Sequence, residues 1–419
     1  MATFDKAVRY EVQAVTATPL RTGPADGSAE QVLRHRDGQA FLQASSLAGA
    51  LHDWLARQDA EAAQTLFGWQ EHSGQLYVSD AVFDTEAEMQ VRPRLRLNGR
   101  MGSADDGGKF DTAHIACGSK LHFTLTWLGE ENDSAGPHEV ERMLSALHTG
   151  EICLGAQKTN GFGRVTLEVS RRIYHMTDET DRTDWLNDDF GGSPLPLAAE
   201  SDAPVYTFTV RGTADSILVK GSAPRVEQDG KKRIEVNITE NGRAIIPGSS
   251  IKGAVRGRVQ MIAAQLGCPE EADRLFGRGA AEGDNGRAGR VRFEDAVPEQ
   301  PKKREISRIR INRFTGGVIN GALFTEEPLS DTVTFRLTAP QDNARGCALL
   351  AYALRDMGLG LYNLGSGGAV GRGWLKDMEL TVSQHGRELA RMTFDRDGCR
   401  LDDPQHTVAD WLQTLEENA

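Results

Sequence analysis

The chain has 419 residues, enough for two or three domains with cores of their own. Its 39% hydrophobic and 26% charged residues describe a globular protein, and no apolar run reaches membrane-spanning length, which excludes membrane-crossing helices. A net charge of -12 argues against generic nucleic-acid binding, for which a basic surface is the usual footprint.

The cations are unevenly placed, however. They cluster at Arg92, Arg94, Arg96 and Arg100, at Lys231, Lys232 and Arg233, and at Lys302, Lys303, Arg304, Arg308, Arg310 and Arg313. A local groove can be positive on an acidic protein. Cys117, Cys153, Cys268, Cys347 and Cys399 are scattered and form no CxxC pair, so neither a disulfide framework nor a zinc site is expected. The start, Met1 to Lys6, has no signal-peptide pattern, and a reducing cytoplasm is expected.

In chain order, Val8 to Ala17 alternate loosely and predict a strand. A polar loop over 24–37 leads to Ser45-Ser46, which are expected to cap a helix whose apolar stripe is Leu47, Ala50, Leu51, Trp54 and Leu55. Leu66-Phe67-Gly68 follows, then a strand over 74–83. Residues 94–110 are glycine-rich and basic. A strand over 120–128, a helix over 139–147 and a glycine loop holding Gly161-Phe162-Gly163-Arg164 lead into a strand over 165–169. Residues 178–203 are acidic and carry Gly191-Gly192-Ser193-Pro194 and Pro196, which predicts a linker.

After residue 203 the same order returns. A strand over 205–210 precedes Ile246-Pro247-Gly248-Ser249-Ser250-Ile251-Lys252-Gly253, which matches the first serine pair 204 positions away (40 to 244). Leu275-Phe276-Gly277 and Asp295-Ala296-Val297 answer Leu66-Phe67-Gly68 and Asp80-Ala81-Val82. Residues 309–324 lie over 95–110 without a gap. Gly371-Arg372-Gly373 answers Gly161-Phe162-Gly163. Five landmarks in one order indicate a duplicated domain. Each copy has the element order of a ferredoxin-like unit with a hairpin-like insertion, a fold whose sheet leaves one face open and is used by RNA-binding modules. A short closing helix is expected over 403–417, after a turn at Gly398.

At the second serine pair a loop runs into a helix carrying Lys252, Arg256 and Arg258 opposite its apolar stripe. Main-chain N–H groups, a positive helix end and three cations suit a phosphate. Paired glycines elsewhere are also what a tight turn before a strand requires, and a basic face is also what water solvates.

These motifs resemble the RAMP superfamily of CRISPR-associated proteins, and within it the backbone subunits of type III effector complexes. Ile309 to Phe324 is similar to the segment bearing that family's thumb hairpin, strongly in the second copy and in degraded form in the first. The resemblance implies two fused backbone subunits, as in some type III-D-like systems. The fold class is then α+β, with two tandem ferredoxin-like (RRM-like) RAMP domains and hairpin insertions, over 1–177 and 204–419 around the acidic linker 178–203. It implies guide-RNA contacts at Ser45, Ser46, Gly161, Gly163 and Arg164 in the first copy. In the second they fall at Ser249, Ser250, Lys252, Arg256, Gly371, Arg372 and Gly373. Arg96, Arg100, Arg310 and Arg313 would track a guide–target duplex, with Met101 and Phe314 as wedges between bases.

Some family members cleave target RNA with an acidic residue in the loop before the serine pair. Here the loops offer Asp26, Glu30 and Asp37, and Glu227, Asp229 and Glu235. Asp26 and Asp229 are the first choices because each precedes a glycine in a polar loop. A carboxylate there would hold a divalent cation, magnesium, that stabilises the leaving oxygen; solvated turn acids are the plainer role for both. The expected partners are guide RNA, complementary target RNA and other RAMP subunits. A purely structural RNA-holding subunit is the alternative to a metal-dependent endoribonuclease. A guide-processing endonuclease ranks last, because its chemistry suits a histidine base near the first strand, which has none. No Ser/His/Asp signature or GxxxxGK[ST] phosphate loop is present.

Overall fold

Val8, Tyr10, Val12 and Ala14 are all buried on one face of a strand, as their period of two requires. That strand is β1 (Lys6–Thr16), the centre of the first of two compact units. In this computed structural model the described residues are 4–23, 32–85, 87–97, 104–227, 232–279, 285–395 and 397–416. The first unit comprises 1–91, 112–158 and 162–203; the second comprises 92–111, 159–161 and 204–419.

In the first unit β1 is followed by α1 (Ala44–Ala56), α2 (Ala60–Phe67), β2 (Ala81–Phe83), β3 (Lys120–Gly129), α3 (Ala135–Thr149), β4 (Val165–His175) and α4 (Glu179–Leu186). The sheet is antiparallel, with β1 between β4 and β3 and β2 beyond β3. Leu47, Leu51 and Leu55 of α1 and Val140, Met143, Leu144 and Leu147 of α3 cover one face, closing a core around Trp127 and Phe83.

The second unit repeats this with β5 (Val205–Ile217), α5 (Gly248–Gln265), α6 (Pro269–Phe276), β6 (Arg292–Phe293), β7 (Leu329–Pro340), α7 (Ala344–Gly358) and β8 (Leu375–Gln384). Here β5 lies between β7 and β8, with β6 beyond β7. The four shared strands therefore stand in one spatial order in both units. Past β8 the second sheet is extended by β9 (Arg387–Asp395), at the edge where the first sheet has only the two-residue Ser193–Pro194, and by β10 (Gly398–Asp402) beyond it; α8 (Thr407–Glu416) packs Trp411 against Tyr206 and Phe208.

Several expectations need correction. The acidic segment 178–203 is not an extended linker. It forms α4, adds Ser193–Pro194 to the edge of β4, and packs partly buried Leu195 and Leu197 against the first unit's core. Trp185 stands edge-on to Phe4 and Tyr174, with ring centres 6.1 and 5.2 Å apart. Asp188 pairs with Arg9 and Asp184 with Arg172. This packing also covers one end of the first sheet's open face. The strand expected over 74–83 breaks into Leu76–Val78 and β2. The turn expected at Gly398 joins β9 to β10, so β10 stands between that turn and the last helix.

The insertions are hairpins. Met89–Leu97 pairs with Ala104–Ile115, and Ile306–Ile311 with Val318–Glu327. The outer part of the earlier one, 92–111, clusters with the second unit rather than with the copy that encodes it.

Candidate nucleic-acid interface

The serines do not cap their helices. The cap positions belong to Gln43 and Pro247, neither of which offers a side-chain bond, so both serine pairs lie inside the first turn. The first helical N–H groups are taken instead by carboxylates from a neighbouring strand region. Ala44 N–H donates to Asp80 Oδ1 at 2.6 Å, and Gly248 N–H to Asp295 Oδ1 at 2.7 Å. A full negative charge at a helix start opposes the dipole better than a hydroxyl does. The repeated Asp-Ala-Val triplets are the sequence's visible signal for it.

Asp295 has a second partner. Its Oδ2 lies 2.6 Å from Arg92 Nη2, and the same guanidinium pairs with Glu240, all three side chains being largely buried. Arg92 thus ties the strand that bears Arg94 and Arg96 to the start of α5. Sequence alone does not single out Glu240 or the role of Arg92, since the partners are more than a hundred residues apart.

Along α5, Ser249, Lys252 and Arg256 stand at positions i, i+3 and i+7, which places them on one face over about 10 Å. Lys252 Nζ donates to Thr159 Oγ1 at 2.8 Å. Burial, then the charges of Arg256 and Arg94, push the Lys252 ammonium down to about 8. Arg256 Nη2 donates to the Gly277 carbonyl at 3.2 Å. Arg258 turns away and pairs with buried Asp356 at 2.6 Å. In the first unit the corresponding face holds Ser45, Ala48 and His52, with both serines exposed and the cations gone.

The glycine loops have a packing reason. Gly163 (φ 88°) and Gly373 (φ 75°) each close on a carbonyl; a Cβ would stand 2.0 Å from Leu154 O and 1.9 Å from Leu364 O. Gly161 is similar, with a Cβ at 2.5 Å from Phe293 O. Gly371 alone of the four is open, exposed and at φ 82° with nothing within 4 Å. Arg164 is half-buried. Arg372, expected on a phosphate, is instead buried and donates to Glu326 Oε2 at 2.6 Å. Arg308 Nε donates to the same oxygen at 3.0 Å. Burial by itself would raise the Glu326 carboxyl, but these two guanidiniums hold it below the usual carboxylate range. Arg372 therefore joins the terminal loop to the root of the hairpin. At its position the first copy has Phe162, packed on His114 with ring centres 5.4 Å apart.

The family model of the RAMP superfamily matches residues 13–166 and 190–376. The chain belongs to the RAMP superfamily. No curated protein matches it. Membership carries a CRISPR-associated, RNA-binding role in general terms. Two matched stretches agree with the two units' common strand order. The stretch 167–189, which includes α4, and the stretch 377–419, which includes β9, β10 and α8, lie outside the match.

The second RAMP hairpin presents exposed cations and apolar side chains together. Arg310 and Arg313 are exposed, Phe314 at the turn is 98% exposed, and Ile309 faces Leu323 across the ladder with both exposed. In the first RAMP hairpin Arg96 is exposed, while Arg100 and Met101 lie outside the described residues.

Asp26, Asp229 and Glu30 also lie outside the described residues. Of the other loop acids, Asp37 accepts from Gln39 N–H in a turn, Glu227 pairs with Lys232 and Glu235 with Lys220. Among the described residues no group of three or more His, Cys, Asp or Glu side chains is arranged to hold a metal ion. No helix among the described residues is long and apolar enough to cross a membrane.

Proposed function

We propose that this RAMP protein is a guide-RNA-binding backbone subunit of a type III CRISPR effector complex, built from two ferredoxin-like domains. The reading rests above all on Lys252. A half-buried lysine beside Arg256 and Arg94, its ammonium disfavoured first by burial and then by their charges, is a site that gains from an anion. The Ser249, Lys252 and Arg256 stripe would take consecutive phosphates of a single strand, with Arg94 and Arg96 alongside. The exposed hairpins would press on the guide–target duplex. The strand order shared by both units supports the ferredoxin-like assignment, and the duplication supports a subunit that does the work of two neighbours in a backbone.

The test is to purify the protein from cells carrying its CRISPR array and sequence what RNA comes with it. Guide-derived RNA and further RAMP subunits are expected; a preparation free of RNA at modest ionic strength would contradict the reading. Cleavage of target RNA by Asp26 or Asp229 belongs to the same proposal. Asp26→Ala or Asp229→Ala in the assembled complex should each remove one cut and leave guide binding intact. A wild-type ladder from both variants favours the purely structural role.

A further inference from the structure

The chain turns sharply after α2, and the turn is built the same way in both units. Gly68 (φ 81°) ends the helix and touches Gly74; a Cβ on Gly68 would stand 2.6 Å from Gly74 N. Gly277 and Gly289 repeat the contact at 2.5 Å. Between the first of these glycine pairs runs a small hairpin pinned at its root. In the first unit it is Gly68–Trp69 paired with His72–Ser73. Trp69 is 49% exposed, and the His72 ring lies against it with centres 4.4 Å apart at 57°. In the second unit the same place holds exposed Arg278 and Arg287, bridged through both backbone N–H groups at 2.9 Å.

The hairpin root meets the serine-pair helix at the end of its polar stripe. In the second unit Arg256, seven residues after Ser249, bonds the Gly277 carbonyl at 3.2 Å. In the first unit His52, seven residues after Ser45, stands edge-on to Phe67 at 5.4 Å, next to Gly68. Residues seven apart share a helix face. The stripe that begins at the serines thus ends at the hairpin root, at Phe67 next to Gly68 in one unit and at the Gly277 carbonyl in the other.

We infer that Trp69, backed by His72, is a base-stacking platform for the RNA strand that the first unit carries. An exposed indole flanking a two-residue turn offers a flat face to any base. It would supply, at the end of the first stripe, a grip to replace the cations that Ala48 and His52 lack. The paired arginines would grip phosphate at the matching place in the second unit. The inference rests on the RNA-binding role proposed for the chain.

The test uses the full chain and a single-stranded RNA carrying 5-iodouridine. Irradiation should cross-link wild-type protein at the peptide containing Trp69. Trp69→Ala should weaken binding about five- to a hundred-fold, the range for one lost base stack, and Trp69→Phe should recover most of it. Lys252→Ala is measured alongside. If Lys252→Ala weakens binding while Trp69→Ala binds as the wild type does and the cross-link falls elsewhere, the platform is wrong and the RNA reading stands. If wild type binds no RNA, the RNA reading itself falls and the platform with it. If Trp69→Ala spares RNA binding but, in complexes purified from cells, no longer retains a neighbouring subunit, the patch is a protein contact and the inference is overturned.

Discussion

Lys252 is the residue on which chemistry and geometry meet most closely. Its ammonium titrates near 8 in the free protein because burial and two arginines oppose the charge. A bound phosphate favours the charged form and raises that value. Affinity for RNA should therefore be flat below about pH 8 and fall as pH rises above it, with a proton taken up on binding. Lys252→Arg should remove this dependence, since arginine stays charged. Binding isotherms from neutral to alkaline pH check it; a flat wild-type profile would show that the ammonium does not face the ligand.

Asp295 carries two structural duties that can be separated. Asp295→Ala removes a helix cap and one partner of buried Arg92, and should cost about 3–5 kcal/mol, the scale for breaking a buried ion pair. Asp295→Asn keeps a good cap and should recover about 1 kcal/mol of that. Thermal unfolding of the two variants reads the difference. The glycines divide in the same way. Gly373→Ala meets both a left-handed backbone and a carbonyl in the way, so it should destabilise by more than Gly371→Ala, which costs about 1–2 kcal/mol for the backbone alone.

At this scale the candidate contacts were legible as residue types but not as roles. Ser249, Lys252 and Arg256 do line one helix face. Arg372 and Arg258 look equivalent to Arg256 in sequence, yet each is committed to a carboxylate, Glu326 and Asp356, contributed by an element that sequence cannot place beside it. The serines look like caps because nothing local announces that a distant aspartate takes the N–H.

Among the elements, the strands and helices with clear periodicity were readable, and the acidic segment was not. Its composition says loop, but Trp185, Asp184 and Asp188 find Tyr174, Arg172 and Arg9 on the first sheet. Those partners are spread along the chain, so charge density alone could not reveal them. The two hairpins were legible from matched glycines and arginines. For the second, Arg310→Ser with Arg313→Ser should flatten the salt dependence of RNA binding by about 0.7–0.9 in log–log slope for each phosphate left unneutralised. Phe314→Ala should leave that slope alone while weakening duplex binding, because the ring carries no charge. An unchanged slope in the arginine variant would show that this hairpin does not track a phosphate backbone.

For the whole molecule, duplication was the most secure reading. Landmarks repeated in one order at offsets of 204 to 215 residues survive as one strand order in two units and as two stretches of one family match. A chain of net charge -12 would bind RNA only where its cations are gathered, and the proposal puts the strand along α5 beside Arg94. What the offsets could not show is that 92–111 would cluster with the second unit, because Arg92 meets Glu240 and Asp295 across a long stretch of chain.

The most direct measurement is the affinity of the full chain for a guide-like single-stranded RNA across a salt series, beside Lys252→Ala with Arg256→Ala. Wild type should retain the RNA with a steep salt slope, and the double variant should bind at least tenfold more weakly with a shallower one. Equal affinity and equal slope in the two proteins would contradict an RNA strand held along the second serine-pair helix.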